Sequence, residues 1–241
     1  MVRLSGVCQR EGCNLICAAR DRQKLLSVRR HVEAIGQECL IYEFDALERN
    51  SVMQLSETLH KKSQSPDTLV NNGGGGGRLG ESSVIDSSEK VWGEVLQKNY
   101  QCCLDLTLYF LPTMQKREWG RIVTVTSIYG LMDGGRPWFN VAKVAQTTLM
   151  KNLAMKAEFA SKNITFNSVA PGALMIPDTG WEEFQLNQPE QFKKMIETKH
   201  PQKRLGTAEE VASAITFICS YKASYLNGAS ILLDGEESGI I

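Results

Sequence analysis

Short apolar runs typical of buried strands alternate with helical patterns along almost the whole chain. The runs lie at residues 14–18, 39–44, 68–70, 122–126, 164–169 and 230–233. A strand, a helix and a further parallel strand form a right-handed crossover, and repeated crossovers give a parallel sheet covered by helices on both faces. The sequence therefore predicts an α/β protein with a Rossmann-like, doubly wound parallel sheet in three layers, αβα.

Apolar residues between these runs recur at the spacing of buried helix faces. A first helix is indicated by four residues at intervals of three and four: Leu25, Val28, Val32 and Ile35. Residues 100–114 are apolar almost all round, and Pro137 suits the first turn of another long helix that runs to about residue 160. We expect these two long helices to be buried against the sheet or against a partner.

Length and composition exclude several classes of protein. The 241 residues suit one large α/β domain better than two small ones, so residues 1–241 are predicted to form a single domain. Lysine plus arginine (27) equals aspartate plus glutamate (27), so no overall charge draws the chain to nucleic acid or to an anionic membrane. No apolar stretch approaches the roughly 20 residues of a membrane span, and the first residues contain no apolar signal core. The seven cysteines include no Cys-x-x-Cys pair, which favours no metal site and a reducing, cytoplasmic location.

Ligands of open parallel sheets bind beyond the carboxyl ends of the strands, so residues after each predicted strand are candidates for a site. Arg20 follows the first strand, where an arginine can hold a 2′-phosphate and an acidic residue would instead bind a ribose hydroxyl. Arg20 therefore indicates NADP, with a solvated loop arginine as the alternative. Asp45 and Asn71 follow the next two strands, where such side chains bind an adenine edge or fix a turn. Gly73 and Gly74 begin a five-glycine run that either lets the backbone approach a ligand or forms a flexible loop.

Further candidates follow the fourth and fifth predicted strands. Ser127 comes directly after the fourth strand, and Pro171 and Gly172 come after the fifth. Phe139 and Lys143 are four residues apart on one long helix, so they share a face of it. Taken alone, Lys143 would be a solvated charge on that face.

The order and spacing of these residues are more specific than any one of them. The ordered set is Asn71-Asn72-Gly73-Gly74, Asn99, Ser127, Lys143, Pro171-Gly172, Arg204-Leu205-Gly206-Thr207, Tyr225-x-x-Gly228 and Asp234-Gly235. From about residue 9 onward the chain resembles the short-chain dehydrogenase/reductase family, and most closely its 3-oxoacyl-[acyl-carrier-protein] reductase-like members. The resemblance implies an NADP(H)-dependent oxidoreductase that acts on a small-molecule carbonyl or hydroxyl substrate, with hydride transfer to a 3-oxoacyl-like carbonyl.

The resemblance also implies roles for individual residues. Those implied to bind the cofactor are Arg20 at the 2′-phosphate, Asp45 at the adenine, Asn71, Gly73 and Gly74 at the adenosine, and Pro171 and Gly172 at the nicotinamide. Ser127 would bind the substrate carbonyl, and Lys143 would hold the nicotinamide ribose. Asn99 would support a water that leads protons to the lysine. Residues 176–200 would close over the substrate.

One departure from the family concerns the catalytic tyrosine. The family's Tyr-x-x-x-Lys is Phe139-x-x-x-Lys143 in this chain. In the family, the tyrosine hydroxyl donates a proton as hydride reaches the carbonyl carbon, and a placed acid contributes about 10² to 10⁴ in rate. Normal catalysis is therefore expected to fail, with slow turnover through Ser127 and a lysine-held water. Tyr129 is a less favoured substitute donor.

A second departure concerns the start of the fold. Family members begin with a strand and a Thr-Gly-x-x-x-Gly-x-Gly loop that binds the pyrophosphate at a helix N-terminus, and nothing in this chain matches that loop. Residues 1–11 resemble the latter half of the helix after the loop, so the domain is expected to be N-terminally incomplete. The missing strand would lie between the runs at 14–18 and 68–70. Either those two strands close up, or another segment fills the gap, or the fold is compromised.

Two functional interpretations remain open. The first is an NADP(H)-dependent ketoreductase that is impaired by Phe139 and by the missing loop. The second is a catalytically inactive relative that acts as a structural or regulatory partner in a reductase oligomer. A third, an unrelated doubly wound nucleotide-binding module, is disfavoured by the register of Asn99, Ser127 and Lys143. Family members commonly pair the helices at 100–114 and 137–160 across a dimer axis, which predicts a homodimer or homotetramer.

Overall fold

A computed structural model of the protein describes residues 12–76, 79–80 and 83–240. The strands in these residues are β1 (Leu15–Ala19), β2 (Cys39–Glu43), β3 (Thr68–Asn71), β4 (Gly120–Val125), β5 (Ile164–Pro171) and β6 (Ser230–Leu233). The helices are α1 (Arg22–Glu33), α2 (Arg49–Lys61), α3 (Glu89–Leu96), α4 (Cys102–Arg117), α5 (Pro137–Ala154), α6 (Ala157–Ala160), α7 (Gly180–Asn187), α8 (Pro189–Lys199) and α9 (Ala208–Cys219). A π-helical turn (Gln97–Gln101) joins α3 to α4, and a 3-10 turn (Ile128–Gly130) follows β4.

The strands pair in parallel, as the predicted crossovers require. β1 pairs with β2, and β3, β4, β5 and β6 form a four-stranded sheet in that order. Because neighbouring strands of this sheet point the same way, the segments that leave their carboxyl ends meet along one rim. The doubly wound parallel architecture predicted from the sequence is confirmed.

Helices cover both faces of the four-stranded sheet. Ile122 of β4 lies in a core cluster with Leu55 of α2 and Met150 of α5, whereas the next residue, Val123, packs against Ile215 of α9. This alternation is the period of two that a strand imposes on its side chains. The apolar faces of α2, α4 and α5 on one side and of α9 on the other therefore complete the three layers.

A boundary between the two sheets lies where the sequence predicts a central strand to be missing. Within the described residues β1 and β3 are not hydrogen-bonded to each other, so the two strands have not closed up. Ile16 and Ala18 of β1 nevertheless pack into the same apolar cluster as Leu69 of β3 and Phe166 of β5. Apolar packing therefore joins the two sheets. The helix half predicted for residues 1–11 lies outside the described residues.

Some helix boundaries differ from the sequence-based prediction. α1 ends at Glu33, so Ile35 lies beyond the helix and is 51% exposed. The long helix that begins at Pro137 ends at Ala154, and the short α6 follows it after a break. The segment predicted to close over a substrate forms α7 and α8. Among the described residues, no helix combines the length and apolar character that crossing a bilayer requires.

Candidate active site

Lys143 lies on the buried face of α5, and its side chain ends at the carboxyl end of β4. Its ammonium donates to the carbonyl oxygen of Val125, the last residue of β4 (3.1 Å), and to Oε1 of Gln146 (3.0 Å). The residue is 4% exposed, and burial lowers the pKa of the ammonium to about 8 because the charged form loses its hydration. Within the described residues no carboxylate lies within ion-pair distance to offset that loss. The fold therefore holds a weakly compensated cation at the rim.

Gln146, a residue that the sequence-based prediction missed, connects Lys143 to Asn99. Its Nε2 donates to the backbone carbonyl of Asn99 (2.9 Å), while its Oε1 accepts from Lys143. Gln146 has no solvent exposure. A carboxamide thus connects Asn99 to Lys143, because a glutamine three residues after Lys143 on the helix can reach both groups. That spacing was the sequence signal available for finding it.

The side chain of Asn99 holds the glycine run against Lys143. Its Oδ1 accepts from the backbone N–H of Gly75 (3.1 Å), and its Nδ2 donates to the carbonyls of Gly75 (2.9 Å) and Val95 (2.8 Å). At Gly74, φ is +137°, and a Cβ would lie 2.2 Å from Oδ1 of Asn99 and 3.4 Å from Nζ of Lys143. Only glycine suits this position, because both the backbone conformation and the available space exclude a side chain. The first part of the run is therefore a close backbone approach to Asn99.

Phe139 faces the ammonium of Lys143, as their spacing of four residues predicted. The ring centroid lies 5.5 Å from Nζ, a distance at which the ring face attracts a cation. The half-buried ring also packs against Val95 and Trp138. The position next to the buried ammonium thus carries an aromatic ring without a hydroxyl group.

Ser127 begins the 3-10 turn that follows β4. Its Oγ accepts from the backbone N–H of Tyr129 (3.3 Å), and Nδ2 of Asn140 on α5 donates to the carbonyl of Tyr129 (2.7 Å). These bonds fasten the turn to the helix that carries Lys143. The ring of Tyr129 lies against Gly134, where a Cβ would come within 2.5 Å of it. Ser127 and Lys143 are therefore brought to the same rim, since the lysine binds a carbonyl two residues before the serine.

The end of β5 packs closely against the chain that follows β6. Pro171 is the last residue of β5, and the backbone N–H of Gly172 donates to the carbonyl of Leu233 (3.2 Å). Oε2 of Glu237 accepts from the N–H of Ala173 (2.6 Å), and a Cβ at Gly172 would lie 2.5 Å from that oxygen. Glu237 is a second residue that sequence reasoning missed. It is a carboxylate next to the predicted nicotinamide border.

The remaining predicted cofactor residues lie at the ends of β1, β2 and β3. Arg20 is exposed directly after β1. Oδ1 of Asp45 accepts from the backbone N–H of Leu47 (3.0 Å), so this carboxylate fixes a turn. Nδ2 of Asn71 donates to Oγ1 of Thr107 (3.1 Å), so its side chain points into the core, and its Oδ1 is buried without a described hydrogen-bond partner. Gly73 is exposed at the start of the glycine run.

The chain is similar to known reductases along most of its length. A family model described as enoyl-(acyl carrier protein) reductase matches residues 4–235. The 3-oxoacyl-[acyl-carrier-protein] reductase FabG of Buchnera aphidicola is 33% identical over 192 residues, which cover 79% of this chain and 74% of that protein.

Two solved structures share the fold. L-sorbose reductase from Gluconobacter frateurii, complexed with NADPH and L-sorbose, superposes with a TM-score of 0.88 at 24% identity, over 100% of this chain and 92% of that one. The 3-oxoacyl (acyl-carrier-protein) reductase from Agrobacterium tumefaciens C58, with NADP bound, gives a TM-score of 0.86 at 23% identity, over 97% and 88% of the two chains. Together with the ordered motifs, these likenesses confirm the resemblance stated from the sequence. This protein belongs to the short-chain dehydrogenase/reductase family of oxidoreductases and is similar to its 3-oxoacyl-[acyl-carrier-protein] reductases.

Proposed function

We propose that this protein binds NADP(H) as a single domain and transfers hydride to a 3-oxoacyl-like carbonyl, with turnover impaired by Phe139. The observation that carries the proposal is the buried ammonium of Lys143 at the sheet rim. A lysine has three N–H donors, and two of these bind Val125 and Gln146, which leaves one for a ribose hydroxyl. Two structurally similar reductases hold NADPH or NADP, which supports the choice of cofactor.

The residues at the rim fit the two ends of such a dinucleotide. Gly74 brings backbone against the site of Lys143, and Arg20 offers an exposed cation for a 2′-phosphate. When bound, the nicotinamide supplies the hydride. Ser127 would donate a hydrogen bond to the carbonyl oxygen that receives negative charge, and Lys143 would hold the ribose. The departure from the family lies in the pyrophosphate region, because the glycine-rich loop is not found in this sequence.

We assign the remaining cofactor-binding residues the roles that the family resemblance implies. Pro171 and Gly172 would border the nicotinamide, while Asp45 and Gly73 would lie at the adenosine end. Asn71 would contribute through its backbone, since its side chain is engaged in the core.

A second candidate function is that of a non-catalytic, dinucleotide-binding partner in a reductase oligomer. The connection between Asn99 and Lys143 favours it. The carboxamide of Gln146 does not ionise at neutral pH, so the hydrogen bonds that it makes offer no ready route for a proton. Phe139 removes the acid, and Gln146 would compete with a water for the Asn99 carbonyl, so both residues would act on the same proton transfer.

Direct binding of NADPH tests the proposed function independently of turnover. By isothermal titration calorimetry, we expect the unaltered chain to bind NADPH and the Lys143→Met variant to bind it about tenfold more weakly, because a hydrogen bond from a charged donor is lost. The control is Lys116→Met, which changes an exposed lysine in the last turn of α4, the helix that leads into the amino end of β4. Absence of NADPH binding by the unaltered chain would contradict the proposal.

A second copy of the chain is the proposed partner. On the outer face of α5, Val141 and Val144 are 46% and 41% exposed, and they line a groove with Tyr100 and Leu149. Two such faces related by a two-fold axis would cover each other's valines. We expect a dimer or tetramer in sedimentation equilibrium and a shift to monomer for Val144→Glu. A stable, strictly monomeric parent protein would refute this proposal.

A further inference from the structure

Lys98 lies beside the glycine run, one residue before Asn99 in the π-helical turn. A Cβ at Gly76 would lie 3.1 Å from Nζ of Lys98 and 3.2 Å from its Cε, so the end of this half-buried side chain rests against the backbone of Gly76. Bonds from Asn99 fix the preceding residue, Gly75, on both its N–H and its carbonyl. The ammonium of Lys98 is therefore positioned by a segment that is itself held in place.

A second cation, Arg20, lies on the other side of the boundary between the sheets. Arg20 follows β1 and the glycine run follows β3, so both charges flank the carboxyl-end rim where ligands of parallel sheets bind. Burial lowers the pKa of Lys98, and the charge of Arg20 lowers it further, while Glu94 raises it. Glu94 is already paired with Lys90. Within the described residues neither Lys98 nor Arg20 forms a salt bridge.

Two cations that interact with each other and form no salt bridge among the described residues favour an anionic ligand between them. A phosphate monoester carries a charge near −2 at neutral pH and has three acceptor oxygens, so it can accept from a guanidinium and an ammonium together. We propose that Lys98 and Arg20 jointly bind the 2′-phosphate of NADP(H), which makes Lys98 a determinant of the preference for NADP(H) over NAD(H). The proposal rests on the proposed function and names a residue that the sequence motifs did not assign.

The positions of Lys143 and Lys98 along the glycine run favour the 2′-phosphate as the group that Lys98 binds. Gly74 lies against Lys143, the residue proposed to hold the nicotinamide ribose, whereas Gly76 lies against Lys98, on which the charge of Arg20 acts. The two ammonium groups therefore mark different ends of the bound dinucleotide. Arg20, at the end of β1, is the position at which 2′-phosphate and 2′-hydroxyl ligands are distinguished in this class of fold.

The experiment measures dissociation constants for NADPH and NADH by calorimetry with the full chain. We expect Lys98→Met to raise the NADPH constant about tenfold and the NADH constant less than about twofold, because only NADPH carries the phosphate. Lys98→Arg keeps the charge and should retain the preference. Lys116→Met, at an exposed lysine in the last turn of α4, should change neither constant. Because Lys98 and Arg20 would share one phosphate, Arg20→Met combined with Lys98→Met should weaken binding by less than the product of the separate effects.

The possible outcomes separate this proposal from the proposed function. Equal weakening of NADPH and NADH would place Lys98 at the pyrophosphate or show a general structural effect, and would overturn the 2′-phosphate assignment. Unchanged NADPH binding in a folded Lys98→Met variant would also overturn it, while the proposed function stands. If the unaltered chain binds neither dinucleotide, both proposals fall together. Circular dichroism and thermal melting of each variant establish that it is folded.

Discussion

The Phe139→Tyr variant should reduce a 3-oxoacyl thioester with NADPH about 10² to 10⁴ times faster than the parent chain, because it restores a placed general acid. Hydride addition leaves negative charge on the carbonyl oxygen, and the parent has no hydroxyl at position 139 to protonate it. The measurement is single-turnover NADPH oxidation at saturating cofactor. A single turnover needs only one proton from the tyrosine, so it is insensitive to how quickly that proton is replaced.

The surroundings of position 139 are suited to such an acid. The ring lies 5.5 Å from the ammonium of Lys143. A neighbouring positive charge stabilises the anionic form of a phenol and so lowers its pKa towards neutrality. Phe139 is only half-buried, so the added hydroxyl would not be trapped in an apolar core without a partner.

Two further variants test whether the gain in rate comes from an acid at position 139. Lys143→Met added to Phe139→Tyr should abolish most of the gain, because the phenol loses its neighbouring charge. Tyr129→Phe should leave the gain intact, since the ring of Tyr129 is engaged with Gly134. If Phe139→Tyr binds NADPH as tightly as the parent but gains no activity, the non-catalytic interpretation is favoured instead.

The second large effect expected is a rise in the stability of the parent protein between about pH 8 and pH 10.5 that Lys143→Met lacks. The folded pKa of Lys143 is about 8, below the ordinary value of 10.5. Below pH 8 the residue is charged in both states, so its desolvation penalty is fully present. Between the two values the unfolded chain binds the extra proton, so the free energy of unfolding rises with pH, by about 3 kcal/mol in total.

The measurement compares urea unfolding of the parent and of Lys143→Met at pH 7 and pH 10. Other groups also titrate in this range, because burial raises the pKa values of the Cys102 and Cys103 thiols, that of Cys102 to about 12. Because the charge of Lys143 lowers the pKa of Cys103, the comparison is made in a Cys103→Ala background. In that background the other titrating groups are common to both proteins, so the difference between the two free energies of unfolding isolates the lysine. The same difference at both pH values would show that Lys143 is not a desolvated cation.

The fold was predictable because its determinants are local and periodic. Strands such as β4 and β5 are short apolar runs, and the spacing of Phe139 and Lys143 on a helix fixed their common face. The spacing of three between Lys143 and Gln146 was equally visible. The role of Gln146 was missed because a glutamine on an apolar helix does not indicate a function until the positions of its two partners, Lys143 and Asn99, are known.

Contacts between distant segments were the part that sequence reasoning could not supply. The charge of Arg20 acts on Lys98 because the ends of β1 and β3 flank one boundary, and Lys98 belongs to no motif that the sequence analysis used. Asn71 was expected to face a ligand, yet its carboxamide binds Thr107 in the core. Ile35 continued the helical pattern, but the helix ends two residues before it, at Glu33, and Gly36 with φ +83° follows. In each case tertiary geometry decided between local alternatives that the sequence left equal.

The boundary between the two sheets also bears on how the protein opens. Within the described residues, the unit formed by β1, α1 and β2 shares no strand-to-strand hydrogen bonds with the four-stranded sheet, and side chains such as Ile16 and Ala18 connect the two. Such a unit can separate without breaking a backbone ladder, by losing apolar contacts and side-chain contacts such as the hydrogen bond from Tyr42 to Gln64 (2.6 Å). Because this unit carries Arg20, partial opening would remove one wall of the proposed cofactor site while Lys143 keeps its place. A ligand that contacts both parts would therefore also stabilise the arrangement in which the unit is packed against the four-stranded sheet.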